Sequence, residues 1–70
     1  MTRSEHLNWC KQRALEYVDA GDLDQAVASM ASDLTKHPDT ANTPPMLTML
    51  GMMEIANGPN AVRRWIEGFN

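Results

Sequence analysis

Ala14-Leu15-Glu16-Tyr17-Val18-Asp19-Ala20-Gly21-Asp22-Leu23-Asp24-Gln25-Ala26-Val27 is the stretch that decides the fold. A helical pattern runs into Gly21, breaks there, and restarts at once. Upstream, Leu7, Cys10, Ala14, Tyr17 and Val18 recur at spacings of three, four, three and one. At about 100° per residue they fall on one stripe roughly 100° wide, as a core-facing helix requires. Downstream, Leu23, Ala26, Val27, Met30, Ala31 and Leu34 repeat the pattern. Glycine enters the left-handed region without a Cβ penalty, so Gly21 closes the first helix. Asp22 caps the second, with Gln25 three residues on. A connection this short makes the two helices antiparallel neighbours, an αα-hairpin.

The same reading extends to both sides. Thr2 with Glu5 forms a capping box, which starts the first helix near residue 3. Pro38 ends the second helix and places His37 outside it, because the residue before a proline avoids helical geometry. A polar loop follows, and Thr43-Pro44-Pro45 starts a third helix, since proline is tolerated in a first turn. Asn57-Gly58-Pro59 stops that helix and begins a fourth, whose apolar face is Val62, Trp65, Ile66 and Phe69. The pattern predicts helices over about 3–20, 23–36, 45–56 and 59–67, with no strand-period segment. The expected fold is all-α, a single domain of two αα-hairpins in a small four-helix array.

The third helix is the anomaly. Met46, Leu47, Met49, Leu50, Met52, Met53, Ile55 and Ala56 surround it almost completely, and four of the six methionines lie between Met46 and Met53. A helix apolar all round must be covered all round, and two short helices offer too little surface. A 70-residue chain of 7.8 kDa buries only about 60% of the surface it exposes unfolded. Cores of that size are commonly helped by a disulfide, a metal or self-association. With one cysteine no internal disulfide forms, so the sequence favours a homodimer seam along this helix. Gly51, in its middle, is expected to let the second copy approach closely. Methionine fills irregular cores and also repacks against partners.

Composition excludes several classes. Apolar residues are 43% and charged residues 21%, which describes a globular chain. The net charge is −3 and the pI about 5.1. Arg63-Arg64 is the single adjacent basic pair, too little for a phosphate-neutralising face, so no nucleic-acid partner is expected. The opening residues lack an apolar signal-peptide region, and Met46 to Ala56 is too short to span a bilayer. One unpaired cysteine then fits a reducing cytoplasm.

Chemistry-bearing residues are sparse. His6 and Cys10 stand one helical turn apart, a workable spacing for two zinc ligands, and an antiparallel hairpin brings His37 to the same end. A fourth ligand is missing. The plainer expectation is Cys10 as a small core residue and His6 as a surface or first-turn residue. A Cys–His nucleophile lacks an orienting third group and a pocket. Asp19, Asp22 and Asp24 do not continue into a twelve-residue calcium loop, and Asp22 and Asp24 suit a helix cap and first turn. No catalytic residue, metal or cofactor is expected. The candidate interface consists of Trp9, Met46, Met49, Leu50, Met53, Arg63 and Arg64. Trp9 lies about 160° from its helix's core stripe and is expected either to pack on the terminal helix near Phe69 or to anchor a partner. Arg63 and Arg64 are expected on a solvated face, where they could grip an acidic surface.

Two resemblances add to this. Ala14, Tyr17, Gly21, Ala26 and Pro38 stand where a tetratricopeptide unit places its small residue, tyrosine, turn glycine, packing alanine and terminal proline. Cys10 and Asp33 depart from that pattern, and no second copy follows, so the likeness is one of hairpin geometry. Over its whole length the chain also resembles a group of small phage-encoded proteins of unknown function. The stretches that carry this are Met1-Thr2-Arg3-Ser4-Glu5-His6-Leu7, Ala14-Leu15-Glu16-Tyr17, Gly21-Asp22-Leu23, Lys36-His37-Pro38 and Arg63-Arg64-Trp65-Ile66-Glu67-Gly68-Phe69. The resemblance implies a viral or prophage setting and no assigned activity. The expected function is a non-enzymatic interaction protein that binds and modulates a host or viral protein, including one of a host defence system. A structural or assembly role in a virion is the alternative.

Overall fold

The computed structural model describes residues 2–38 and 40–69. Four α-helices follow in order: α1 Arg3–Asp19, α2 Leu23–Leu34, α3 Pro45–Glu54 and α4 Pro59–Glu67, with a single 3₁₀ turn over Ile55–Asn57 between the last two. No strand occurs among the described residues. The all-α expectation holds, with four helices that start at the expected residues. α2 ends at Leu34, two residues early, and α3 tightens into the 3₁₀ turn at Ile55.

The termini follow local chemistry. Thr2 Oγ1 accepts the Glu5 N–H at 3.2 Å, while the Thr2 N–H donates to Glu5 Oε1 at 3.0 Å. Thr2 holds the Glu5 carboxyl below its ordinary value, through its backbone N–H first and its hydroxyl second. At the other end of α1 the Gly21 N–H reaches Val18 O at 3.0 Å and the Asp22 N–H reaches Tyr17 O at 2.9 Å. With Gly21 at φ +80°, this is the paired-bond termination that satisfies the last carbonyls of a helix. Asp22 Oδ1 then accepts the Gln25 N–H at 3.3 Å. One glycine and one aspartate thus end α1 and begin α2.

The core lies between α1, α2 and α4. Leu7, Cys10, Ala14, Val18, Ala26, Val27, Met30, Leu34, Val62 and Ile66 form one buried cluster. α3 packs on α2 and α4, but Gly51 is its single buried residue. Met46, Met49, Leu50, Met52 and Met53 are 69%, 64%, 44%, 60% and 66% exposed. The accessible surface of 4406 Å² matches the roughly 4,400 Å² that mass scaling assigns to a folded chain of this size. The open apolar face is therefore not the product of a loose fold.

Candidate interaction surface and the polar corner

On α3, Met46, Met49, Leu50 and Met53 stand at i, i+3, i+4 and i+7 and project as one stripe. The opposite side of the helix, centred on Gly51, faces α4. No charged residue interrupts the segment between Met46 and Met53. Such a stripe is the pattern by which one helix anchors on another.

Gly51 plays a different part from the expected one. Its missing side chain makes room for Trp65 of the same chain: a Cβ there would lie 2.5–2.7 Å from the Trp65 ring atoms. The close approach is intramolecular, because α3 is held to α4 through this indole. Trp65 Nε1–H donates to Leu47 O at 2.9 Å. The Phe69 ring meets Trp65 edge-on, with centroids 5.1 Å apart and planes at 85°, a favourable quadrupole geometry.

Trp9 also packs within the chain, but not on Phe69. Its half-buried ring stacks on His6 with centroids 5.6 Å apart. The Arg13 guanidinium and the Lys36 ammonium lie 4.8 Å and 5.5 Å from its centroid. These are cation–π distances. Arg63, expected on a solvated face, pairs with Asp19 at 2.8 Å and ties α4 to the end of α1. Arg64 is exposed and has no side-chain bond among the described residues. The sequence-derived interface set therefore splits. The α3 residues form a continuous face, Trp9 belongs to a corner of the hairpin, and Arg64 borders a separate groove.

That groove lies between the segment entering α3 and the end of α4. It has a volume of about 460 Å³, with walls of Pro44, Leu47, Trp65 and Phe69 and with Arg3 and Arg64 among its lining.

The hairpin corner is built on Asp33, which is buried, and here sequence reasoning missed a residue. Asp33 Oδ2 accepts from Arg13 Nε at 2.8 Å and from Ser29 Oγ at 3.4 Å, and Oδ1 accepts from Lys36 Nζ at 3.0 Å. Burial alone would raise its carboxyl. The bonds from Lys36 and Arg13, reinforced by their charges, outweigh burial and hold it below the usual aspartate value. Arg13 and Lys36 stay about half exposed and bring their charges to Asp33 from the rim. The signal in the sequence was faint: an acidic residue one position before the core residue Leu34, with Lys36 three residues ahead and Ser29 four behind.

His6, Cys10 and His37 do converge, as the antiparallel hairpin implied. His6 lies in the first turn of α1 but is buried there, not on the surface. Its ring stacks on His37 with centroids 5.1 Å apart. His6 Nε2 lies 2.9 Å from Asp33 O and 3.4 Å from Cys10 Sγ. A carbonyl oxygen only accepts, so the bonding network assigns the hydrogen to Nε2. The nitrogen facing the thiol therefore has no lone pair with which to take a proton. Burial pushes the Cys10 thiol up, and the nearby Asp33 carboxylate pushes it further. This pair cannot generate a thiolate nucleophile. Among the described residues no group of three or more His, Cys, Asp or Glu is arranged to hold a metal ion. No helix of the described residues is long and apolar enough to cross a membrane. No family model matches the chain, and no curated protein or solved structure is significantly similar to it.

Proposed function

We propose that the chain is a non-enzymatic helical interaction protein. It pairs with a second copy through the α3 stripe and, as a dimer, binds and modulates another protein. The observation that carries this reading is the exposed run of Met46, Met49, Leu50 and Met53 on a chain whose other helices bury their apolar stripes. Burying such a side chain completely contributes about 1.5–3 kcal/mol. The four stripe side chains, exposed by 44–69%, then make about 4–7 kcal/mol available per copy. A two-fold pairing uses the same patch twice, about 7–15 kcal/mol before the roughly 4–15 kcal/mol cost of association. Gain and cost are of the same order, so the pairing is a weak one that forms at high protein concentration. The phage-like stretches support a setting in an infected cell, where a small modulator would meet host proteins in the cytoplasm.

Sedimentation equilibrium tests the seam. The wild-type mass should rise towards twice 7.8 kDa as concentration is raised into the millimolar range. Met49→Asp should remain at the single-chain mass with unchanged helical circular dichroism, because Met49 is largely exposed within one chain. A wild-type mass that stays single at millimolar concentration would refute the seam. Affinity purification from the native host, with mass spectrometry, identifies the bound protein. Finding the chain stoichiometrically in purified particles would instead assign it to a virion.

A further inference from the structure

The groove beside α4 has features that the α3 stripe lacks. The stripe is uncharged, whereas the groove joins an apolar floor to the exposed Arg64 guanidinium, and no carboxylate is found among the described residues that line it. That combination runs against the chain as a whole, in which nine acidic side chains outnumber six basic ones. The floor is also rigid. Trp65 is fixed by its bond to Leu47 O, by the Gly51 backbone beneath it and by the edge of Phe69. A preformed aromatic floor needs little ordering when a ligand arrives. The volume of about 460 Å³ lies in the range of ligand sites and suits one or two large side chains.

We propose that this groove is the partner-binding site, and that its ligand is a short protein segment presenting one or two apolar side chains flanked by carboxylates. The apolar anchor lies on Trp65, Phe69, Leu47 and Pro44. Arg64 takes a flanking carboxylate, which its planar fork can hold through two parallel bonds. The inference rests on the reading as an interaction protein but not on the α3 seam, since the two surfaces share no residue.

The test is selection from a random dodecapeptide display library on immobilised full-length protein, with Arg64→Glu and Met49→Asp as parallel baits. Binding of the selected peptides is then measured in solution and followed at the two indole N–H resonances, Trp9 and Trp65. Selected peptides should carry apolar residues beside Asp or Glu and shift the Trp65 resonance while leaving Trp9 in place. They should bind Arg64→Glu at least tenfold more weakly, bind Met49→Asp undiminished, and weaken as salt rises. Their Asn/Gln counterparts should lose most of the affinity. Overlapping circular dichroism of Arg64→Glu and wild type confirms that the variant is folded. Enrichment of no peptide, of peptides without acidic excess, or of peptides lost with Met49→Asp and kept with Arg64→Glu would overturn the assignment. So would a Trp65 resonance that moves on dilution alone in Met49→Asp, because the groove would then be filled by a second copy. If the seam fails while these peptides still bind Arg64-dependently, the groove stands and the dimer falls.

Discussion

Gly51→Ala sets two effects of opposite sign against each other. In an unobstructed helix interior the change stabilises by about 0.8–1 kcal/mol, because glycine carries more backbone entropy. Here the added Cβ would lie 2.5 Å from Trp65 Cζ2, 2.6 Å from Cε2 and 2.7 Å from Cη2. Carbon atoms rest at about 3.5–4.0 Å, so the indole must retreat by about 1 Å. Retreat stretches the 2.9 Å bond from Nε1 to Leu47 O, worth about 0.5–1.5 kcal/mol. It also imposes overpacking strain of about 1–3 kcal/mol. The clash wins, and the net loss is about 1–3 kcal/mol. In a chain this short each kcal/mol moves the midpoint by about 4–8 °C, so Tm should fall by roughly 5–20 °C. The assay is thermal unfolding by circular dichroism at one fixed protein concentration, because self-association makes Tm concentration-dependent. The decisive control is the same substitution in a Trp65→Leu background. With the indole gone, Gly51→Ala should become neutral or stabilising by up to about 1 kcal/mol, and the cycle isolates the Gly51–Trp65 term. An unchanged or raised Tm in the wild-type background, or equal losses in both, would refute the proposed packing.

Two further predictions concern the hairpin corner. Asp33→Asn should destabilise by about 1–3 kcal/mol at neutral pH, since charge-assisted bonds are lost while Arg13 and Lys36, both half exposed, recover water. The folded-state pKa of Asp33 is depressed below its ordinary 3.8. Its contribution is therefore complete above that value and is lost as pH falls through the lower folded value. Urea titrations should show the gap between wild type and variant narrowing below about pH 4, and a constant gap down to pH 2 would contradict the ion cluster. Cys10 is completely buried and its thiol is pushed up. At pH 8 a disulfide reagent such as DTNB should label it only through opening of the fold, far more slowly than a cysteine in denatured chain. Labelling at the denatured rate would remove it from the core.

Much of this molecule was legible in short-range pattern. Thr2 with Glu5, the Gly21-Asp22 turn and Gly58-Pro59 are instructions read within four residues, and α1, the start of α2 and the start of α4 follow them, whereas α2 stops at Leu34, short of Pro38. The stripes of α1, α2 and α4 were legible because burial there follows helical periodicity. Periodicity also marked α3 as carrying more apolar surface than the chain can cover. It was silent on Asp33 and His6, whose burial depends on bonds between α1 and α2 residues 27 positions apart in the case of His6 Nε2 and Asp33 O.

By itself, then, the sequence determined the helices, the hairpin turn and the surplus of apolar side chains on α3, because capping, backbone freedom and periodicity act within a few residues. Only the tertiary structure decided that the space above Gly51 belongs to Trp65, that Asp33 gathers Arg13, Ser29 and Lys36, and that Trp9 lies on His6 away from Phe69. It also decided that Arg64 borders an aromatic groove. Each of these depends on which helix faces meet and at what depth, and a polar side chain gains a buried place only when its bonding partners arrive from elsewhere in the chain.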